Sequence, residues 1–176
     1  RVSVIIGNTP PEVRDVYVVP DAPASTEGLS VRYTFIDHEN DPEAGTDLMW
    51  FRDGEHITEM DGLTDVPAAL TARGDIWHCE VTPGDGMSLG HTVSSSLATI
   101  GNGAPFIEGA AVVPALPGTD DTLSLEYTFT DPDGDAESGT MISWYRDGRM
   151  ISHLDGEPAV PAGETSRGQS WSAVIT

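Results

Sequence analysis

Trp50-Phe51-Arg52-Asp53-Gly54 returns later in the chain as Trp144-Tyr145-Arg146-Asp147-Gly148. This five-residue echo belongs to a longer one. Residues 1–82 align without a gap on residues 95–176 at a constant offset of 94, and 33 of the 82 pairs are identical. Asp37 falls on Asp131 and Trp77 on Trp171. A fixed period of this length marks serial copies of one small domain, not a single larger fold.

Outward from Trp50, each copy reads as β-structure. Leu29, Val31, Tyr33 and Phe35 alternate with Ser30, Arg32 and Thr34, the period-two pattern of a half-buried strand. Val13–Val19 reads as the opening strand. Leu48-Met49-Trp50-Phe51 is stopped by Asp53-Gly54, a hairpin turn pair. A weak strand is expected at His56–Glu59 and a Pro-containing segment at Val66-Pro67. Ile76 to Val81 follows, with Trp77, Cys79 and Val81 on one face, and Thr92–Ile100 closes the unit. About seven strands in under 100 residues, with Gly and Pro punctuation, predict an all-β chain of tandem immunoglobulin-like β-sandwiches.

The ends are out of phase with the repeat. Residues 8–101 make one full unit, and residues 102–176 make a second that lacks its last strand within this chain. Residues 1–7 precede the first unit, and Val2 to Ile6 align with Ser96 to Ile100, the closing segment. Two readings follow: a stretch cut from a longer array, or strand donation. In the second, Val2, Val4 and Ile6 of one molecule fill the vacant edge of a neighbouring copy, because an unpaired sheet edge templates such pairing. A head-to-tail contact of this kind does not close and propagates a filament.

The net charge is −21 and all eight basic residues are Arg. Phosphate binding needs a basic surface, so nucleic acid is not an expected partner. No run of 18 apolar residues offers a membrane-spanning helix. The one cysteine, Cys79, has Ala173 as its counterpart, so it reads as a small buried filler.

Several motifs carry a family likeness. They are Asn8-Thr9-Pro10-Pro11, the acidic Asp37-His38-Glu39-Asn40-Asp41, Trp50-Phe51-Arg52-Asp53-Gly54, and Gly74-Asp75-Ile76-Trp77-His78-Cys79-Glu80-Val81-Thr82-Pro83-Gly84-Asp85-Gly86. Together they resemble the tandem Ig-like (cadherin- and PKD-like) repeats of bacterial and archaeal surface proteins. The resemblance covers the whole chain. It implies an extracellular or cell-surface spacer with no catalytic activity. It also implies a bridge from the cysteine of the last motif to the second strand, where Val31 stands instead, so that bridge is missing here.

The acidic loops are the most chemical feature. Asp37, Glu39, Asp41 and Glu43 recur at every second position, as do Asp131, Asp133, Asp135 and Glu137 in the second copy. Calcium takes six to eight oxygens at roughly 2.3–2.6 Å in flexible geometry. Four carboxylates held close without a counterion repel one another. Ca2+ is therefore the expected cofactor, against the plainer reading of a solvated acidic turn. Asp85, in the last hairpin, is expected at the same end as the first acidic loop, where it could add an oxygen. The loop Asp131–Glu137 is expected beside residues 101–105.

The repeating tryptophans Trp50, Trp77, Trp144 and Trp171 read as core, and Arg52 and Arg146 as partners for an acid of their own domain. No histidine recurs at a matched position, and no nucleophile–base pair repeats. The expected function is a structural module of a fibre, filament or stalk, with neighbouring copies of itself as partners. The alternative is an adhesin or an accessory module that binds glycan or protein.

Overall fold

The computed structural model describes residues 1–176 and is all-β, with no α-helix. The chain forms two compact units, Arg1–Gly103 and Ala104–Thr176. The boundary falls two residues beyond the sequence reading. Gly101 N–H donates to the Pro23 carbonyl at 2.7 Å, and Asn102 Oδ1 accepts from Arg73 at 2.5 Å, so both residues finish the first unit.

Unit 1 contains β1 (Glu12–Val19), β2 (Leu29–Ile36), β3 (Asp47–Arg52), β4 (Glu55–His56), β5 (Asp65–Val66), β6 (Ile76–Thr82), β7 (Val93–Ser94) and β8 (Ala98–Thr99). One antiparallel sheet runs β1-β2-β5. The other runs β4-β3-β6, with both β7 and β8 along the outer side of β6. Alternation decides which face each strand buries. On β6, Trp77, Cys79 and Val81 are fully buried, while Ile76 is 40% exposed. The β3–β4 turn uses Asp53 and Gly54 at φ 53° and 81°. Two consecutive left-handed residues match the right-handed twist of the flanking strands.

Trp50 and Trp77 form the centre of the core. Their rings meet edge to face with centroids 6.4 Å apart, the arrangement favoured by the aromatic quadrupole. Burial would orphan the Trp50 indole N–H, but it donates to the Leu63 carbonyl at 2.8 Å.

Unit 2 repeats the plan with β9 (Phe106–Val113), β10 (Leu123–Thr130), β11 (Ile142–Arg146), β12 (Arg149–Met150), β13 (Ala159–Val160) and β14 (Trp171–Ile175). Its sheets run β13-β10-β9 and β12-β11-β14. Trp144 donates to the Glu157 carbonyl at 2.8 Å, as Trp50 does to its counterpart. Where Asp15 takes a left-handed conformation in β1, the second copy has Gly109 at φ 63°. Register shifts at both places mark the same bulge.

Three details differ from the sequence reading. The strand expected at His56–Glu59 ends at His56 and continues as a 3-10 turn, Thr58–Met60. The closing strand is two short pieces. Ser95 breaks it, because its hydroxyl, not a backbone carbonyl, accepts the Cys79 N–H at 3.0 Å. Trp171 is half-buried instead of core, because β14 pairs only with β11 and nothing lies along its outer side. The buried cluster accordingly shrinks from thirteen residues in unit 1 to five in unit 2.

Removing the Trp50 ring leaves a cavity and an unpaired Leu63 carbonyl. Trp50→Ala is expected to cost about 3–5 kcal/mol, measured by urea denaturation. Leu97→Ala, at a 67% exposed position, is expected to be nearly silent.

Candidate functional site

The acidic loop of each copy is organised by its first aspartate. Asp37 Oδ1 accepts the backbone N–H groups of Glu39 and Asp41 at 2.9 and 2.8 Å. Asp131 Oδ1 accepts those of Asp133 and Asp135 at 2.8 and 3.0 Å. These bonds close the turn, as Asp side chains commonly do. Asp37 Oδ2 is buried and has no hydrogen-bond partner. A buried carboxylate oxygen without a donor carries an uncompensated desolvation cost.

The last acid of each loop is held by a tyrosine on the preceding strand. Tyr33 donates to Glu43 at 2.7 Å and Tyr127 to Glu137 at 2.8 Å. Burial first, then the Glu43 bond, pushes the Tyr33 hydroxyl up to about 12. Hydrogen bonds from Thr140 and then Tyr127 hold Glu137 below the usual carboxylate range. Glu39 accepts from Thr9 at 2.9 Å.

Asp85 does reach this end of unit 1. A parallel bridge pairs it with Ala44, and Ala44 N–H donates to the Gly84 carbonyl at 2.8 Å. A Cβ on Gly84 would stand 2.7 Å from the Ala44 carbonyl oxygen, so only glycine permits the approach. The carboxylate itself is engaged elsewhere. Oδ2 accepts from Asn8 and the Ser88 hydroxyl at 2.7 and 3.1 Å. Oδ1 accepts from the Met87 and Ser88 N–H groups at 2.7 and 2.6 Å. The Asn8 bond, followed by those of Ser88 and Met87, lowers its pKa to about 2. Asp85 reads as the organiser of the last hairpin, with no oxygen to spare.

No three His, Cys, Asp or Glu side chains stand together as a ready-made metal group. The bonds to Asp37 and Asp131 gather Asp37, Glu39 and Asp41 into one turn in unit 1, and Asp131, Asp133 and Asp135 into one turn in unit 2. In unit 2, Pro105 and Phe106 line a cavity of about 170 Å³ with Gly139 and Thr140, so the acidic loop and the chain's entrance share one end of that unit.

Val2, Val4 and Ile6 lie in no strand and are 99%, 84% and 85% exposed. Cys79 is fully buried, and burial raises its thiol to about 12, which leaves it inert.

Some interactions were hidden in the sequence. Arg52 does not pair with an acid. Its guanidinium lies over the Trp77 ring at 5.6 Å, as that of Arg146 lies over Trp171. Phe51 stacks on His78 with centroids 4.8 Å apart, and His56 meets it at a tilt of 31°, 5.2 Å away. Their counterparts Tyr145, Ser172 and Met150 carry no such stack. The tyrosine–glutamate pairs had a signal, since both copies repeat the same ten-residue separation.

The chain matches no family model and no curated protein.

The low pKa of Asp85 fixes the direction of its pH dependence. Because folding lowers that pKa, its stabilisation is fully present above about pH 4. It is lost as the pH falls toward about 2. Asp85→Asn is expected to lower the melting temperature at neutral pH and to flatten its decline between those limits, followed by thermal melts across the acid range.

Proposed function

We infer that the chain is a structural module of an extracellular or cell-surface fibre, filament or stalk, built from immunoglobulin-like sandwiches in series. The observation that carries this reading is the serial repetition itself. One element order recurs at a 94-residue offset through β1 to β6 and β9 to β14. Only a short stretch joins the two copies. Repetition adds length at constant design, and nearest-neighbour joints then set stiffness. The repeated side chains are tryptophans, turn residues and loop clamps, all with architectural duties. No nucleophile–base pair recurs at matched positions of the two copies. Copies join head to tail, by strand complementation through residues 2–6.

Calcium at the acidic loops is the second part of the reading. The buried, unpaired Asp37 Oδ2 supports it, as does the repulsion among neighbouring acids in a chain of net charge −21. An ion would draw on Asp37, Glu39 and Asp41, and on Asp131, Asp133 and Asp135, while Glu43, Glu137 and Asp85 stay engaged in hydrogen bonds of their own.

The adhesin or accessory-module alternative has one observation in its favour. The cluster of His56, Phe51 and His78 is an aromatic set confined to one copy.

Electron microscopy of the purified chain at rising concentration is expected to reveal linear filaments. Isolated particles that bind glycan or protein through the Phe51 face would instead favour the alternative. Chelation is expected to lower the melting temperature by several degrees. The response should vanish in Asp37→Asn with Asp131→Asn, and an unchanged wild-type melt in chelator removes calcium from the reading.

A further inference from the structure

One sheet face reverses its charge between the two units. At the 94-residue offset Arg14 falls on Glu108 and Arg32 on Glu126. Arg14 and Glu108 stand on the edge strands β1 and β9, and Arg32 and Glu126 on the neighbouring β2 and β10. Alternation turns all four outward and leaves them exposed. The adjacent Val13 and Val31 join one core, and Leu125 packs against the other. Arg52 and Arg73, by contrast, recur as Arg146 and Arg167. The one further reversal, Glu55 to Arg149, lies in the other sheet.

The acids and the relief of this face change with the arginines. Glu12, Asp15 and Asp65 of unit 1 are Phe106, Gly109 and Ala159 in unit 2. Two of the three are engaged within unit 1: Glu12 meets Arg14 at 3.4 Å, and Asp65 accepts from Ser30 and Thr64. No basic residue lies on β9, β10 or β13. Tyr17, paired across the strands with Arg32, is 46% exposed. Its counterpart, paired with Glu126, is Ala111. Beside it Gly109 leaves open space where a side chain would stand. Gly109, Leu125, Glu126, Tyr127 and Thr128 line a shallow hollow of about 460 Å³. Unit 1 thus presents a ring beside two cations, and unit 2 a hollow beside two anions.

We propose that the β1–β2 face of unit 1 docks on the β9–β10 face of unit 2 in a second copy, with Tyr17 seated in the hollow at Gly109 and with Arg14 and Arg32 paired with Glu108 and Glu126. The four charges occupy matched positions of one scaffold. Arg14 lies opposite Thr34 as Glu108 lies opposite Thr128. The two arginines are therefore spaced as the two glutamates are, and both ion pairs form together. The contact joins faces, so it is separate from any head-to-tail joint and goes beyond the fibre reading.

The occupant is a second copy because this chain carries both halves of the complementarity. Basic residues are scarce, with eight arginines against 29 acids, and two of the eight stand where the other unit has glutamate. Tyr17 supplies affinity, since tyrosine carries large contact area at low entropic cost and is frequent among the residues that dominate interfaces. The charges decide which faces meet. Opposite charges steer the encounter, and like charges set against each other suppress the wrong one. Two unit 2 faces brought together would oppose four carboxylates and no cation.

Cross-linking between two full-length chains reads this contact alone. One chain carries Thr34→Cys and the other Thr128→Cys, both at exposed positions, and Cys79 is buried. A short bis-maleimide is expected to link unlike chains in preference to like ones. No link, or links chiefly between two Thr34→Cys chains, overturns the proposal. Adding Glu108→Arg and Glu126→Arg to the Thr128→Cys chain makes it four charges less negative, so bulk repulsion alone predicts a stronger contact. The proposal predicts one at least ~10-fold weaker, read as the concentration needed for half-maximal linking. Arg14→Glu with Arg32→Glu in the Thr34→Cys chain is then expected to restore it. An unweakened contact, or one that the reversed partner does not rescue, overturns the pairing. Gly109→Asp installs the residue that unit 1 holds there at φ 52°, so the backbone tolerates it. It fills the hollow and is expected to weaken linking at least ~10-fold; unchanged linking removes Tyr17 from the hollow. Filaments without the cross-link reject this contact and leave the fibre reading, while a cross-link without filaments keeps the contact and rejects the fibre.

Discussion

The tryptophan on the last long strand of each unit can leave water only when backbone lies on both sides of that strand. β3 and β11 supply one side in the two copies. On the other, Ala98 and Ile100 complete the enclosure of Trp77, while Trp171 keeps a wet flank. The rest of the core depends on this condition. Trp77 props the Trp50 ring edge to face, and Arg52 covers its remaining face. A large aromatic side chain carries more apolar area than most core residues, so the completeness of its enclosure dominates the local energetics.

Hydrophobic alternation exposed most of the architecture in the sequence. β2 and β6 could be drawn from Leu29, Val31, Trp77, Cys79 and Val81 alone, because strand periodicity and burial are one fact seen twice. The Asp53-Gly54 turn was equally legible, since few residue pairs accept two left-handed conformations. The break at Ser95 was not. A hydroxyl replacing a carbonyl in the ladder leaves no mark on the hydrophobic pattern. Nor could charge counting find the place of Arg52, whose partner is a ring. In the acidic loops the sequence displayed the carboxylates but not their engagements. Asp85 satisfies four donors, and Glu43 and Glu137 each serve a tyrosine. A list of acids overstates the oxygens left for an ion.

Those engagements explain how so acidic a chain keeps its loops ordered. Backbone N–H groups donated to Asp37 and Asp131 supply fixed partial positive charge where no lysine exists to do so. Hydrogen bonding to the charged form lowers a carboxylate's pKa, as at Asp85 and Glu137. The eight arginines are too few to balance 29 acids, so local donors do this work within each loop, and the surplus charge stays at the surface, where it favours solubility.

The closing segment has two duties at once, and the proposed mechanical role turns on their coincidence. Ile100 belongs to the core of unit 1, yet four residues later, at Ala104, the chain has left that unit. Tension drawn out of unit 1 past Gly103 therefore meets the Arg73–Asn102 contact first, then the bonds from Gly101 to Pro23 and Ser25, then those from Ile100 to Gly74 and Asp75. Several backbone bonds on two neighbouring segments must yield before Ala98 can leave Trp77. A joint that loads the same residues that seal the core ties the continuity of the array to the stability of each unit.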